Sequence, residues 1–199
     1  MNKLKRVGFL MFALGVGACS TTKVDLPYVP APTTTAITAN PIIELGSVVD
    51  ERKNGTHALG AIRNGFGGSL KILETQPPVA ELVKAAFEEG LKARGLAAPV
   101  GGGKYQLNVT ILKFDCSQLV RREAHARFLV MLVTGSGKLN YEHETIANEV
   151  EGSRFALDTD IFASVEDLRK VANELLQRAV DEALDDPGLR AYLRANSTS

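Results

Sequence analysis

The 199-residue chain has no tryptophan, only two cysteines and three histidines, and no excess charge, since 23 basic side chains face 23 acidic ones. Each scarcity excludes something. Aromatic residues make up 6% of the chain, which disfavours the aromatic-lined grooves that hold sugars. Balanced charge leaves no clustered basic face of the kind nucleic acid requires. His57, His125 and His143 are too scattered for a metal-ligand spacing. No stretch approaches the roughly 18–20 apolar residues needed to span a bilayer as a helix. Nor does the chain contain a Gly-x-Ser-x-Gly elbow or a recognisable carboxylate pair, so it carries no signature of a reaction. The residues predict a protein without cofactor, metal, nucleotide or nucleic acid, and not an enzyme.

Three near-motifs fail on inspection. Gly101-Gly102-Gly103-Lys104 would need glycine at 98 and Ser or Thr at 105 to be a phosphate loop, but Ala98 and Tyr105 stand there. His143-Glu144-Thr145-Ile146-Ala147 starts like a zinc motif and lacks the second histidine. Gly65-Phe66-Gly67-Gly68 lacks the third glycine of a dinucleotide loop and lies between two strands. One catalytic alternative stays open, a hydrolase built on Asp115, Cys116 and His125 if these meet in an open cleft.

What is present begins at the amino terminus. Lys3, Lys5 and Arg6 precede a short apolar core, Val7–Val16, and then Gly17-Ala18-Cys19. That is the layout of a secretory signal over residues 1–18. Val7–Ala18 is only twelve residues, too short for a membrane-spanning helix. An ordinary signal beside a chance cysteine is the other alternative. The branched residue at Val16, two small residues and then Cys19 resemble the lipobox of bacterial lipoproteins. That resemblance implies alkylation of Cys19 by a diacylglycerol, cleavage before it, and acylation (a palmitate-type modification) of the new amino terminus. It also implies that Ser20, in place of an aspartate, sends the protein to the outer membrane, on its periplasmic face.

Removing Lys3, Lys5 and Arg6 with the signal leaves 20 basic against 23 acidic residues. With Cys19 lipidated, Cys116 has no partner for an internal disulfide. Its spacing from Leu112 and Phe114 places it on an inward strand face, as packing rather than as a nucleophile.

Residues 19–41, with Pro27, Pro30, Pro32 and Pro41 among threonines and alanines, read as a lipidated tether. At ~3.1 Å per residue it could hold a domain about 60 Å from the membrane, or part of it could lie along the domain as an extended arm. A single domain is expected over 42–195, followed by a short tail, 196–199. Strands are expected over Ile42–Val49, Ala58–Arg63, Ser69–Leu73, Tyr105–Cys116, Ala124–Thr134 and 138–151, from alternation and turn residues. The phase of Tyr105–Cys116 shifts near Lys113, which suggests a bulge. Apolar residues on both sides of Ala124–Thr134 suggest a strand that is central or covered on both faces.

Thr75 is the expected cap of a helix from about Pro78 to Arg94, stopped by Gly95. Ser164 and Asp167 form a capping signal for a second helix, Val165–Leu184, and Gly188–Arg194 can form one short further helix. The order β-β-β-α-β-β-β-α predicts an α+β fold: a two-layer sandwich of one mixed or antiparallel sheet with two amphipathic helices on one face.

Val48-Val49-Asp50-Glu51-Arg52, Leu91-Lys92-Ala93-Arg94-Gly95, the strand at Tyr105-Gln106-Leu107-Asn108-Val109 and the closing helix, together with the lipobox, resemble the YajG-type lipoproteins, a bacterial family without an assigned reaction. The layout is also similar to auxiliary lipoproteins of envelope ABC transporters. These resemblances imply a non-enzymatic envelope lipoprotein, a membrane-held binding or structural module with an envelope protein or its own copies as partner. The alternative is an accessory to lipid or lipopolysaccharide transport. Besides Cys19, three residues are candidates for partner contact. Asp50 and Arg52 could form a structural ion pair or a recognition surface. Phe66 could fold back onto the core, or stand out as a contact or membrane-facing tip. Arg121 and Arg122 occupy a strand connection, where a solvated hairpin end or a contact to lipid phosphate would suit them.

Overall fold

The computed structural model describes residues 20–30, 42–151 and 164–196. The signal segment, Cys19, residues 31–41 of the expected tether and most of the expected tail lie outside the described residues.

Seven strands form one mixed sheet: β1 (Ser20–Val24), β2 (Ile43–Asp50), β3 (Ala58–Arg63), β4 (Ser69–Thr75), β5 (Tyr105–Gln118), β6 (Arg122–Thr134) and β7 (Leu139–Glu151). The helices are α1 (Val79–Ala93), α2 (Val165–Leu184) and α3 (Pro187–Asn196). The order across the sheet is β1-β4-β3-β5-β6-β7, with β2 also paired to β5. β5 organises the fold because it is long enough to take two partners on one edge. Tyr105–Ile111 pairs with β2 and Cys116–Gln118 with β3, both in parallel. Its other edge pairs antiparallel with β6 along its whole length. The expected α+β sandwich is thus present, with α1 and α2 packed on each other and on one face of the sheet.

The core follows from two periodicities. On β6, Ala126, Phe128, Val130 and Leu132 point inward and are buried, each contributing up to about 1.5–3 kcal/mol for the larger side chains. On α2, Leu168, Val171, Ala172, Leu175, Leu176, Ala179, Val180 and Ala183 form the facing stripe. β6 is central, hydrogen-bonded to β5 and β7. Its second row, Leu129, Met131 and Val133, is only half-buried, because the shielding there comes from neighbouring side chains on the sheet. The phase shift of β5 is a bulge: Leu112 is the extra residue between the pairs Ile111–Phe128 and Lys113–Arg127. Gly60 is required where β3 meets β5, since a Cβ there would lie 1.8 Å from the Cys116 carbonyl oxygen.

Two expectations are corrected. Thr75 does not cap α1. It is the buried last residue of β4, and the helix starts at Val79, whose N–H donates to the main-chain carbonyl of Thr56 at 3.0 Å. A loop carbonyl thereby does the work a side chain would do at a free helix start. The second correction concerns residues 20–30, which do not extend away from the domain. Ser20–Val24 pairs in parallel with β4 from Ser20–Lys71 to Val24–Thr75, and Val24 and Leu26 are buried. The β-branched Thr21, Thr22 and Val24 suit an edge strand, and the open edge of β4 supplies the partner. The arm reading holds for these residues.

Ser164 caps α2 as expected, its hydroxyl accepting from the Asp167 N–H. Gly95 has φ +67, the left-handed stop expected after α1. α3 begins with Pro187, and Asp186 accepts from the Leu189 N–H at 2.9 Å.

Candidate functional site

Asp50 and Arg52 lie where β2 ends and β3 takes over on the edge of β5. Between these partners the β5 edge has no strand beside it, so its carbonyls need another donor. Arg52 supplies it. One guanidinium nitrogen, Nη1, donates to the carbonyls of Phe114 and Ala58, both at 2.7 Å. Nε and Nη2 grip the two Asp50 oxygens at 2.8 Å each. The Arg52 side chain is 3% exposed. The ion pair is therefore present and internal, and little of Arg52 is left for a partner. Burial pushes the Asp50 carboxyl up in pKa, but the Arg52 side-chain and backbone hydrogen bonds outweigh it and hold the group below its usual range.

A larger polar cluster escaped the sequence reading. Arg94, expected only as the end of a helix stopped by Gly95, is completely buried. It forks onto Asp185, with Nε to Oδ1 at 2.7 Å and Nη2 to Oδ2 at 2.8 Å. Nη2 also reaches Asp181 at 2.8 Å and Nη1 the Gly90 carbonyl at 3.1 Å. Tyr28, from the arm, donates to Asp181 at 2.5 Å and accepts from Arg94 at 3.4 Å. The cluster ties the arm, α1 and α2 together at one point. The only signal in the sequence is indirect: Arg94 falls in a stretch that carries the family resemblance.

Titration of these groups predicts the pH dependence of stability. Burial raises the Asp185 carboxyl, yet hydrogen bonds from Arg94 and Arg190 leave it below its ordinary value. A depressed carboxyl stabilises the fold above the unfolded pKa of about 3.9, and that contribution is lost as pH falls through the folded value. Burial, and then the hydrogen bond to Asp181, push Tyr28 up to about 12. A raised phenol contributes fully below about pH 10 and is lost as pH rises through its folded value. The thermal midpoint should fall below about pH 4 and again above about pH 10. Tyr28→Phe should reduce the alkaline fall, measured by melts across pH, and an unchanged alkaline limb would remove Tyr28 as its source.

The remaining candidates separate. Cys116 is buried, and desolvation pushes its thiol up to about 12. Asp115 and His125 are a cross-strand pair on the opposite face of the sheet. His125 contacts Asn148, and the three residues do not converge on a cleft. His57 contacts the Thr75 carbonyl and His143 approaches Asp186, so the histidines are dispersed. Among the described residues no group of His, Cys, Asp and Glu could hold a metal ion. Lys104, after the glycine run, lies over the Tyr105 ring and donates to the Asn196 carbonyl.

The lipid-transport reading needs an apolar groove between helices and sheet. Among the described residues that interface is closed: Val83, Phe87, Phe128, Leu175 and Leu176 are fully buried and Phe87 meets Phe128 edge-on at 6.1 Å. A recess of about 150 Å³ lies between the arm and α1.

Phe66, in contrast, is fully exposed at the tip of the β3–β4 hairpin. Asn64 makes the tip rigid, its side-chain oxygen accepting from the N–H groups of Phe66 and Gly68 at 3.0 and 2.9 Å. The tip is therefore held away from the core, and the reading in which Phe66 folds back is corrected. Strand directions put this hairpin, the β5–β6 turn and Ser20 at one end of the sheet. Cys19, one residue before Ser20, is outside the described residues. No described helix is long and apolar enough to cross a membrane.

The architecture has solved counterparts. The crystal structure of protein XCC0632 from Xanthomonas campestris, of family DUF330, is similar at a TM-score of 0.66 and 9% identity, covering 89% of this chain and 100% of that one. A crystal structure of an uncharacterized protein is similar at 0.52 and 11% identity, covering 83% of this chain and 97% of its own. At these identities the likeness is one of fold. No match is found among curated proteins. The family described as uncharacterized lipoprotein (Lipoprotein_16) matches residues 27–194, from the arm to the last helix, and the chain belongs to that family.

Proposed function

We propose that the protein is a non-enzymatic module, anchored through acylated Cys19 on the periplasmic face of the outer membrane, that binds another envelope protein or its own copies. The observation that carries this reading is the sequence around Val16-Gly17-Ala18-Cys19, leading directly into a strand of the domain in a member of a lipoprotein family. Ser20 favours the outer over the inner membrane by resemblance to the sorting pattern of lipoproteins. The buried Cys116 thiol and the dispersed histidines favour binding over catalysis. Asp50, placed at the handover from β2 to β3, keeps part of its carboxylate at the surface and remains a contact candidate beside Phe66.

Crosslinking the acylated protein in cells tests the binding role. Specific adducts with one or a few envelope proteins, or with a second copy, are the expected result. Adducts no different from those of an unrelated lipoprotein would count decisively against a binding module.

A further inference from the structure

β1 leaves almost no slack between the anchor and the domain. Ser20 is already paired with Lys71 at the start of β4, and consecutive Cα atoms are about 3.8 Å apart. If Cys19 carries acyl chains, as the function proposed above requires, the end of the sheet at Ser20 must lie at the bilayer surface. That end is also where exposed apolar side chains collect. Among the ten large hydrophobics exposed in the described residues, five are there: Phe66, Leu70, Leu119, Val120 and Val150. Phe66 is fully exposed at one tip, Val120 is 71% exposed at the neighbouring one, and both tips are turns that project beyond the last strand pairs. Between them is an open recess of about 540 Å³, where Leu119 and Val120 meet Arg63 and the ion pair of Arg121 with Glu123. Apolar tips with a polar, charged rim beside them, in which Arg63 adds a guanidinium, match the interfacial layer of a membrane, where hydrocarbon and polar headgroups lie a few ångströms apart.

We propose that this end of the sheet is a membrane-docking face, with Phe66, Leu119 and Val120 entering the lipid layer beside the acyl chains of Cys19. The partner is the bilayer because covalent attachment one residue away holds these side chains against lipid and nothing else so persistently. Even modest wedge insertion then suffices, since the encounter is intramolecular. The domain would sit upright, with β5 rising roughly 40 Å from the surface at ~3.3 Å per residue. The loop at Val100, 93% exposed at the other end of β5, would face away from the membrane.

The absence of native tryptophan makes the test direct. The acylated protein carrying Phe66→Trp, Val120→Trp or Val100→Trp is reconstituted into vesicles of phosphatidylethanolamine and phosphatidylglycerol with brominated acyl chains. Emission from the first two variants should shift to the blue and lose intensity to bromine, while the Val100→Trp variant should keep the spectrum it has in water. Flotation of the vesicles is read in the same samples. Protein that floats while the Phe66→Trp and Val120→Trp signals stay unquenched overturns the docking face and leaves the anchor standing. Protein that fails to float overturns the anchor and the face with it. A blue shift that grows with protein concentration in the absence of lipid would make this end a contact between copies, and would also overturn the proposal.

Discussion

Arg94→Ala should cost the domain about 3 kcal/mol, the low end of the range for breaking a buried ion pair. The side chain is wholly enclosed, and its removal leaves a cavity and takes the guanidinium from Asp181, Asp185 and the Gly90 carbonyl, leaving Asp181 with Tyr28 and Asp185 with Arg190. The two aspartates are 22% and 35% exposed, so water can reach them in the variant, which is why the upper end of the range is not expected. Arg94→Lys should recover little, because an ammonium cannot fork onto Asp185 while also reaching Asp181 and the Gly90 carbonyl. The loss is measured by urea unfolding of the non-acylated domain. The location of the damage is also specified. Tyr28 should lose its contact to Arg94, and its acceptor Asp181 the guanidinium that fixes it, so protease sensitivity should rise first in residues 20–30. A variant as stable as the parent, with the arm still protected, would show that the cluster adds nothing to stability.

Cys19→Ser should move the protein from the membrane to the soluble fraction. One acyl chain alone binds only marginally, with an association constant on the order of 10⁴ M⁻¹, and each buried methylene adds ~0.8 kcal/mol. Loss of a diacylglycerol and an amide-linked chain together therefore removes tens of kcal/mol of attachment by the same scale, far beyond what Phe66 and its neighbours could replace. Metabolic labelling with a fatty acid should mark the parent and not the variant. Retention of the variant in a salt-washed membrane fraction would refute the acyl anchor. Folding should be unaffected, because the pairing of β1 seen among the described residues runs from Ser20 to Val24.

The features legible in the sequence share one property: their determinants are close together along the chain. The stripe of α2, its Ser164 cap, the Gly95 stop and the bulge near Lys113 each arise within a few turns or a few strand residues, where periodicity and backbone sterics act. The α+β class followed from counting such elements. For the same reason Cys19 is the one chemically specific expectation the sequence offers, since its entire signal lies in residues 3–19.

Tertiary structure decided whatever depends on partners far away in sequence. Arg94 binds aspartates 87 and 91 residues later, so its burial could not be inferred from a helix end rich in charge. Arg52 became an internal staple only because β2 and β3 share one edge of β5 and leave the Phe114 carbonyl 62 residues away without a strand partner. Residues 20–24 have the composition of an edge strand, but a proline-rich neighbourhood concealed it, and the free edge of β4 is what makes them one. By itself the sequence determined which residues could be anchored and which local elements form. The long-range pairings of the sheet decided that Ser20, one residue after the proposed anchor, is already part of the fold, with an exposed Phe66 at the same end.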